Sequence, residues 1–197
     1  MNQTDILRAT KPVVNTFESL NISYYIGGSV ASSSYGMARA TMDVDIVADI
    51  KPHHVRELIS QLGQSYYIDE GMILDAIGRQ ASFNLLHLET MLKVDIFILK
   101  NEPYHQTTIQ RKRKDTLDEG QHSTEFYLIS VEDIILSKLD WYRMSDGVSE
   151  RQWNDVLGVL KVQRNSIDIG YLESWAAKLQ LDKLLQRAFD EANITKK

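Results

Sequence analysis

In the segment Asp43-Val44-Asp45-Ile46, two carboxylates alternate with two branched apolar side chains. A strand turns successive residues to opposite faces, so Val44 and Ile46 share one face while Asp43, Asp45 and then Val47 share the other. Residues 42–47 therefore predict a strand in a sheet that is covered by core on one side and open to water or a cleft on the other. At a rise near 3.3 Å per residue the two carboxylates stand about 7 Å apart on the same side, where they repel one another. An acidic pair of this kind, taken alone, is more often the wet side of a strand than a metal site.

The neighbouring segments supply what such a strand needs. Leu7, Val13, Val14, Phe17 and Leu20 recur at three- and four-residue steps and predict a helix over 5–20, with Pro12 kinking it or marking a late start. Residues 23–26 read as a short strand that stops at Gly27-Gly28, and 29–35 as a helix with Ser29 as its N-cap. A turn of this type presents backbone N–H groups and the positive end of a helix dipole, which suit phosphate. Thirteen residues separate Ser29 from Asp43, enough for one helix and a return to the adjacent strand. Residues 54–62 predict a further helix. Residues 82–88 and 91–99 predict a hairpin turning at Glu89-Thr90, whose second strand sends Val94, Ile96 and Ile98 one way and Lys93, Asp95 and Phe97 the other. A mixed sheet of about five strands follows. If Asp95 lies beside Asp43 and Asp45, three anions share one site, and either protonation or a divalent cation such as Mg²⁺ or Mn²⁺ relieves them.

From Ser130 onward the pattern is helical. Helices are expected near 131–145, 150–163, 170–179 and 181–192, with capping boxes at Ser130/Asp133 and Ser149/Gln152 and breaks at Gly147 and Gly170. The fold class is α+β: residues 1–125 form a mixed β-sheet domain with flanking helices and residues 126–197 a helical domain, the boundary falling within 118–130. Lys138 sits inside the apolar stripe of Val131, Ile134, Ile135, Leu139 and Tyr142, where a lysine either snorkels to water or has a partner. Arg39 and Thr41, just ahead of Asp43, either bind phosphate or belong to a plain turn.

Composition closes off several alternatives. The 197 residues include no cysteine, which excludes disulfide frameworks and thiolate metal sites. The net charge of −5 argues against broad, sequence-independent binding of nucleic acid. No apolar run approaches the length that spans a bilayer, and the charged start does not read as a signal peptide, so a cytoplasmic protein with no membrane partner is expected. The basic run Arg111-Lys112-Arg113-Lys114 reads as a solvated edge that discourages aggregation.

Ile26-Gly27-Gly28-Ser29, thirteen residues, Asp43-Val44-Asp45-Ile46 and the later Lys93-Val94-Asp95-Ile96-Phe97 together resemble the signature of nucleotidyltransferases of the DNA polymerase beta superfamily. That resemblance implies a nucleotidyltransferase-fold sheet, Mg²⁺ or Mn²⁺ held by Asp43, Asp45 and Asp95, and Asp95 as base. It also implies phosphates of an NTP such as ATP at Gly27, Gly28 and Ser29. Residues 132–143 and 150–155 further resemble AbiEii-type nucleotidyltransferases of abortive-infection toxin systems. In those proteins a lysine and a later aspartate are functional; Lys138 and Asp155 are the matching positions, and a cognate antitoxin would be a partner. The expected reaction moves a nucleoside monophosphate from an NTP to a hydroxyl on RNA or a tRNA end, a protein or a small molecule. The alternative is a catalytically silent binding module of the same fold.

Overall fold

The computed structural model describes residues 3–41, 43–116 and 125–194; Met42 and residues 118–124 of the expected boundary lie outside these. The chain divides into two compact units, residues 1–27 with 40–128, and residues 28–39 with 129–197. It enters the second unit between Gly27 and Gly28, leaves it after Arg39 and returns at Ile129.

The first unit is built on a mixed seven-stranded sheet, two strands more than expected. Its strands in chain order are β1 (Tyr24–Ile26), β2 (Asp43–Ala48), β3 (Tyr66–Tyr67), β4 (Ser82–His87), β5 (Lys93–Ile98), β6 (Arg113–Thr116) and β7 (Glu125–Leu128). Across the sheet they run β3-β4-β5-β2-β1-β7-β6. The pairs β2/β5 and β1/β7 are parallel and the rest antiparallel. The alternation read from the sequence holds: Val44, Ile46 and Ala48 are buried while Asp43, Asp45 and Val47 are half-buried. Val94, Ile96 and Ile98 repeat it on β5. Burying each valine or isoleucine among these contributes roughly 1.5–3 kcal/mol, and a one-residue slip of either strand would turn its three inward residues outward, so the register of this pair is strongly held.

Helix α1 (Gln3–Ser19) packs against β2 and β5 and runs through Pro12, so the late start is not seen. A short 3-10 turn at Pro52–His54 leads into α3 (Val55–Leu62), and α4 (Glu70–Arg79) lies against α3 and β4. Asp69 caps α4 by accepting from the Met72 N–H at 2.8 Å. Helix α5 (Pro103–Gln110) completes the unit. The basic run ends in the edge strand β6; Lys112, just ahead of it, sets its Nζ 4.2 Å from the centre of the Tyr127 ring and donates to Ser23 Oγ at 2.7 Å.

The second unit consists of α2 (Gly28–Tyr35), α6 (Val131–Met144), α7 (Glu150–Gln163), α8 (Ile169–Lys178) and α9 (Asp182–Ala192). Helix α2 contacts both α6 and α7. Tyr35 donates its hydroxyl to the Ile129 carbonyl at 2.8 Å, and Gln163 donates to the Tyr35 carbonyl at 2.9 Å. A Cβ added at Gly36 would lie 2.8 Å from the Val159 nitrogen, so glycine is what lets these two backbones approach. Ser130 caps α6, with its hydroxyl accepting from the Asp133 N–H and donating to the Asp133 carboxylate. Three expectations are corrected. Helix α2 starts at Gly28 with a φ of 54°, which places Ser29 within its first turn instead of at the cap. Ser149 makes no side-chain cap. Gly170 lies inside α8, whose cap is Asp168 accepting from the Tyr171 N–H.

Candidate functional site

In the first unit, parallel pairing of β2 with β5 sets Asp45 opposite Asp95 and Asp43 opposite Lys93. Adjacent strands lie about 4.8 Å apart and alternate residues about 7 Å, so the four positions mark the corners of a small rectangle on the polar face. Three corners are carboxylates and the fourth is an ammonium. Lys93 Nζ reaches along its own strand to Asp95 Oδ2 at 2.8 Å. That hydrogen bond is the main reason the Lys93 pKa is raised; partial burial opposes it, and the charges of Asp95, Asp43 and Asp45 add to it. Thr41, itself buried, donates to Asp43 Oδ1 at 2.8 Å and steadies the head of β2. The Gly27 N–H donates to the Asp45 carbonyl at 2.9 Å, which ties the end of β1 to the same strand. Among the described residues no three His, Asp or Glu side chains are gathered closely enough to hold a metal ion as they stand.

The second unit carries a cluster of the opposite character, assembled from three helices and the segment after α2. Asp155 on α7 has a side chain only 7% exposed, and Lys138 on α6 meets its Oδ2 at 2.8 Å from a side chain 5% exposed. Lys138 is therefore buried in an ion pair and does not snorkel. Arg39 forks onto the same carboxylate, Nε to Oδ1 at 2.9 Å and Nη2 to Oδ2 at 3.0 Å, and Ser32 Oγ donates to it at 3.1 Å. Burial, the largest influence, would raise the Asp155 pKa; the hydrogen bonds and charges of Arg39 and Lys138 together outweigh it and hold the carboxyl below its ordinary value. Arg39 Nη2 also donates to Ser29 Oγ, and Arg151 Nη2 donates to that same oxygen at 2.9 Å.

Each unit thus brings together residues singled out from the sequence: Asp43, Asp45, Asp95 and Thr41 in the first, Ser29, Arg39, Lys138 and Asp155 in the second. Lys93, Ser32 and Arg151 were not singled out as site residues. Period two already placed Lys93 on the face of Asp95, and a four-residue step puts Arg151 one helical turn before Asp155. Ser32 had no signal beyond its place on a small-residue helix.

The sequence matches no family model and no curated protein significantly. Among solved structures, the chain is similar over 96% of its length to 99% of the antibiotic-resistance factor ANT(2'')-Ia, at 13% identity and a TM-score of 0.53. A candidate nucleotidyltransferase from Thermotoga maritima matches 79% of this chain with 96% of its own, at 13% identity and a TM-score of 0.50. Lincomycin-bound lincosamide antibiotic adenylyltransferase LnuA matches 76% with 93% of its own, at 16% identity and a TM-score of 0.46. Identities this low speak for architecture and leave activity to be argued from the residues. The chain has the nucleotidyltransferase fold.

Proposed function

We propose that this protein transfers a nucleoside monophosphate from an NTP to a hydroxyl acceptor, with Asp43, Asp45 and Asp95 as ligands for Mg²⁺ or Mn²⁺. The observation that carries the reading is the register of β2 with β5, which sets Asp45 beside Asp95 with Asp43 on the same face. Oxygen donors in this number suit a hard divalent ion, and the ammonium of Lys93 lying against Asp95 is a stand-in of the same charge sign. Such an ion, when bound, neutralises phosphate charge and favours pyrophosphate departure. Asp95 takes the proton of the acceptor hydroxyl. We assign the phosphates to the loop and helix start at Gly27, Gly28 and Ser29, to Thr41, and to the cations Arg39 and Lys138. Ser29 Oγ accepts from both Arg39 and Arg151, so toward a ligand its hydroxyl acts as a donor, the role a phosphate oxygen requires. Asp155 acts by holding Arg39 and Lys138 in place.

The acceptor we place first is a small hydroxylated molecule. A net charge of −5 disfavours a polyanion, and the likeness to an antibiotic-resistance factor runs along nearly the whole chain. An RNA end or a protein side chain remains the second class. The buried Lys138–Asp155 pair favours the AbiEii-type resemblance, in which case a cognate antitoxin should co-purify when the neighbouring reading frames are co-expressed. The deciding experiment incubates the protein with each α-labelled NTP, Mg²⁺, and either a panel of hydroxylated small molecules or a cell extract, then separates labelled small molecules, RNA and protein. Label in one fraction, lost in Asp45→Asn, identifies the acceptor class. Tight NTP binding with no label in any fraction would favour the silent binding module.

A further inference from the structure

Resting on the metal-binding role given above to the three aspartates, we propose that Lys93 is a built-in placeholder cation: in the metal-free protein its ammonium holds an oxygen of Asp95, and it must swing away before a divalent ion can use that carboxylate.

The register supplies the geometry. Lys93 stands opposite Asp43 and two residues before Asp95 on one strand, so its side chain rises on the face that carries the three carboxylates. Its Nζ lies 2.8 Å from Asp95 Oδ2, a charge-assisted hydrogen bond that occupies one of the oxygens a metal would need. The Lys93 side chain is 49% exposed while that of Asp95 is 17% exposed, so the lysine can withdraw into water without opening the core and the aspartate cannot. Lysine suits this task because its charge sits on a flexible four-carbon stem, whereas an arginine fork would lock the carboxylate bidentately. All three carboxylates act on the Lys93 ammonium, Asp95 most strongly. Two of the three carboxylates are already engaged, Asp95 by Lys93 and Asp43 by Thr41. The device keeps like charges from destabilising the site between catalytic cycles and sets a threshold that a divalent ion must exceed.

The test measures Mn²⁺ affinity by electron paramagnetic resonance of the free ion, on the wild type, Lys93→Met and Lys93→Gln, in 0.05 M and 0.5 M KCl. Removing a competing cation at contact distance should tighten Mn²⁺ binding about tenfold in both variants, and at both salt concentrations, because a contact pair is screened far less than distant charges. Equal affinity in wild type and variants would overturn the placeholder and leave metal binding intact. Tightening that vanishes in 0.5 M KCl would reduce Lys93 to a distant background charge, which also overturns it. Absence of Mn²⁺ binding in all three would overturn both the placeholder and the metal role. A measurement on the unaltered protein stands independently of how the variants fold: the Lys93 side-chain ¹⁵Nζ resonance should shift toward its solvated value on Mg²⁺ addition, and an unmoved resonance at saturating Mg²⁺ would count against release.

Discussion

The two clusters invert one another. In the first unit three carboxylates on strands share one ammonium, half-exposed; in the second, a buried lysine, a partly exposed arginine and a hydroxyl converge on one buried carboxylate. The strand cluster holds excess negative charge, which stores repulsion until a cation arrives, whereas the helix cluster gathers its cations onto the shared carboxylate of Asp155 and contributes to holding its helices together. The difference teaches where function and stability should part company: substitutions in the first cluster should cost activity and little stability, and substitutions in the second should cost both.

The largest effect should follow Asp45→Asn, with a loss of transfer activity of several orders of magnitude, at least about a thousandfold, and an unchanged circular dichroism spectrum. Retained activity would make the strand cluster structural and remove the contrast. Next comes Asp155→Ala, which leaves Lys138 buried without its carboxylate and Arg39 without its partner, and should destabilise the second unit by about 3–5 kcal/mol. Urea titration followed by tryptophan fluorescence reads this unit by itself, since Trp141, Trp153 and Trp175, the chain's three tryptophans, all belong to it. A loss below about 1 kcal/mol would mean that the pair behaves like a surface bridge.

Acid should separate the units further. The Asp155 carboxyl has a folded-state pKa below its unfolded value of 3.8, so its contribution is complete above that value and is lost as pH falls through the folded pKa. Tryptophan fluorescence should therefore report weakening of the second unit only below about pH 4, and Asp155→Asn should flatten that acid limb. A wild-type limb identical to that of the variant would assign acid sensitivity to other groups. The smallest effect belongs to Asp43→Asn in metal-free buffer: one repelling charge goes while the amide oxygen still accepts from Thr41, so the melting temperature should rise by about 1–2 °C. A fall of several degrees would show that Asp43 is part of the structural frame.

How far the sequence could be read follows from the same contrast. On strands, period two fixes which residues share a face, and two segments with matching alternation, 43–48 and 93–98, are enough to bring Asp45 beside Asp95. The short strands β3, β6 and β7 were not legible, because two to four residues carry too little periodicity, and α4 was obscured by Gly71 and Gly78 within it. Around Asp155 the partners come from positions 32, 39 and 138, with 29 joined through Arg39 and 151 through Ser29, and packing alone decides which of them meet. Lys138 could be flagged because it interrupted an apolar stripe, and it and Asp155 because they match the AbiEii-type resemblance. The outer helices were placed closely, Gly147 marking a break after α6, although the start of α8 was read from Gly170 and the cap that sets it, Asp168, was missed.

The excursion of residues 28–39 into the second unit also imposes an order of events during synthesis. Helix α2 leaves the ribosome about 96 residues ahead of the start of α6 and about 115 ahead of the start of α7, the helices that cover it, a wait of about 5–25 s at ordinary elongation rates. During that interval Val30, Ala31 and Tyr35, buried in the finished protein, lack the two helices that pack against α2. A nascent chain stalled before Ile129 would hold every residue of the sheet unit yet still display this sticky segment. Folding of the chain is thus non-local by construction, and α2 is the segment through which chaperone dependence should first be felt.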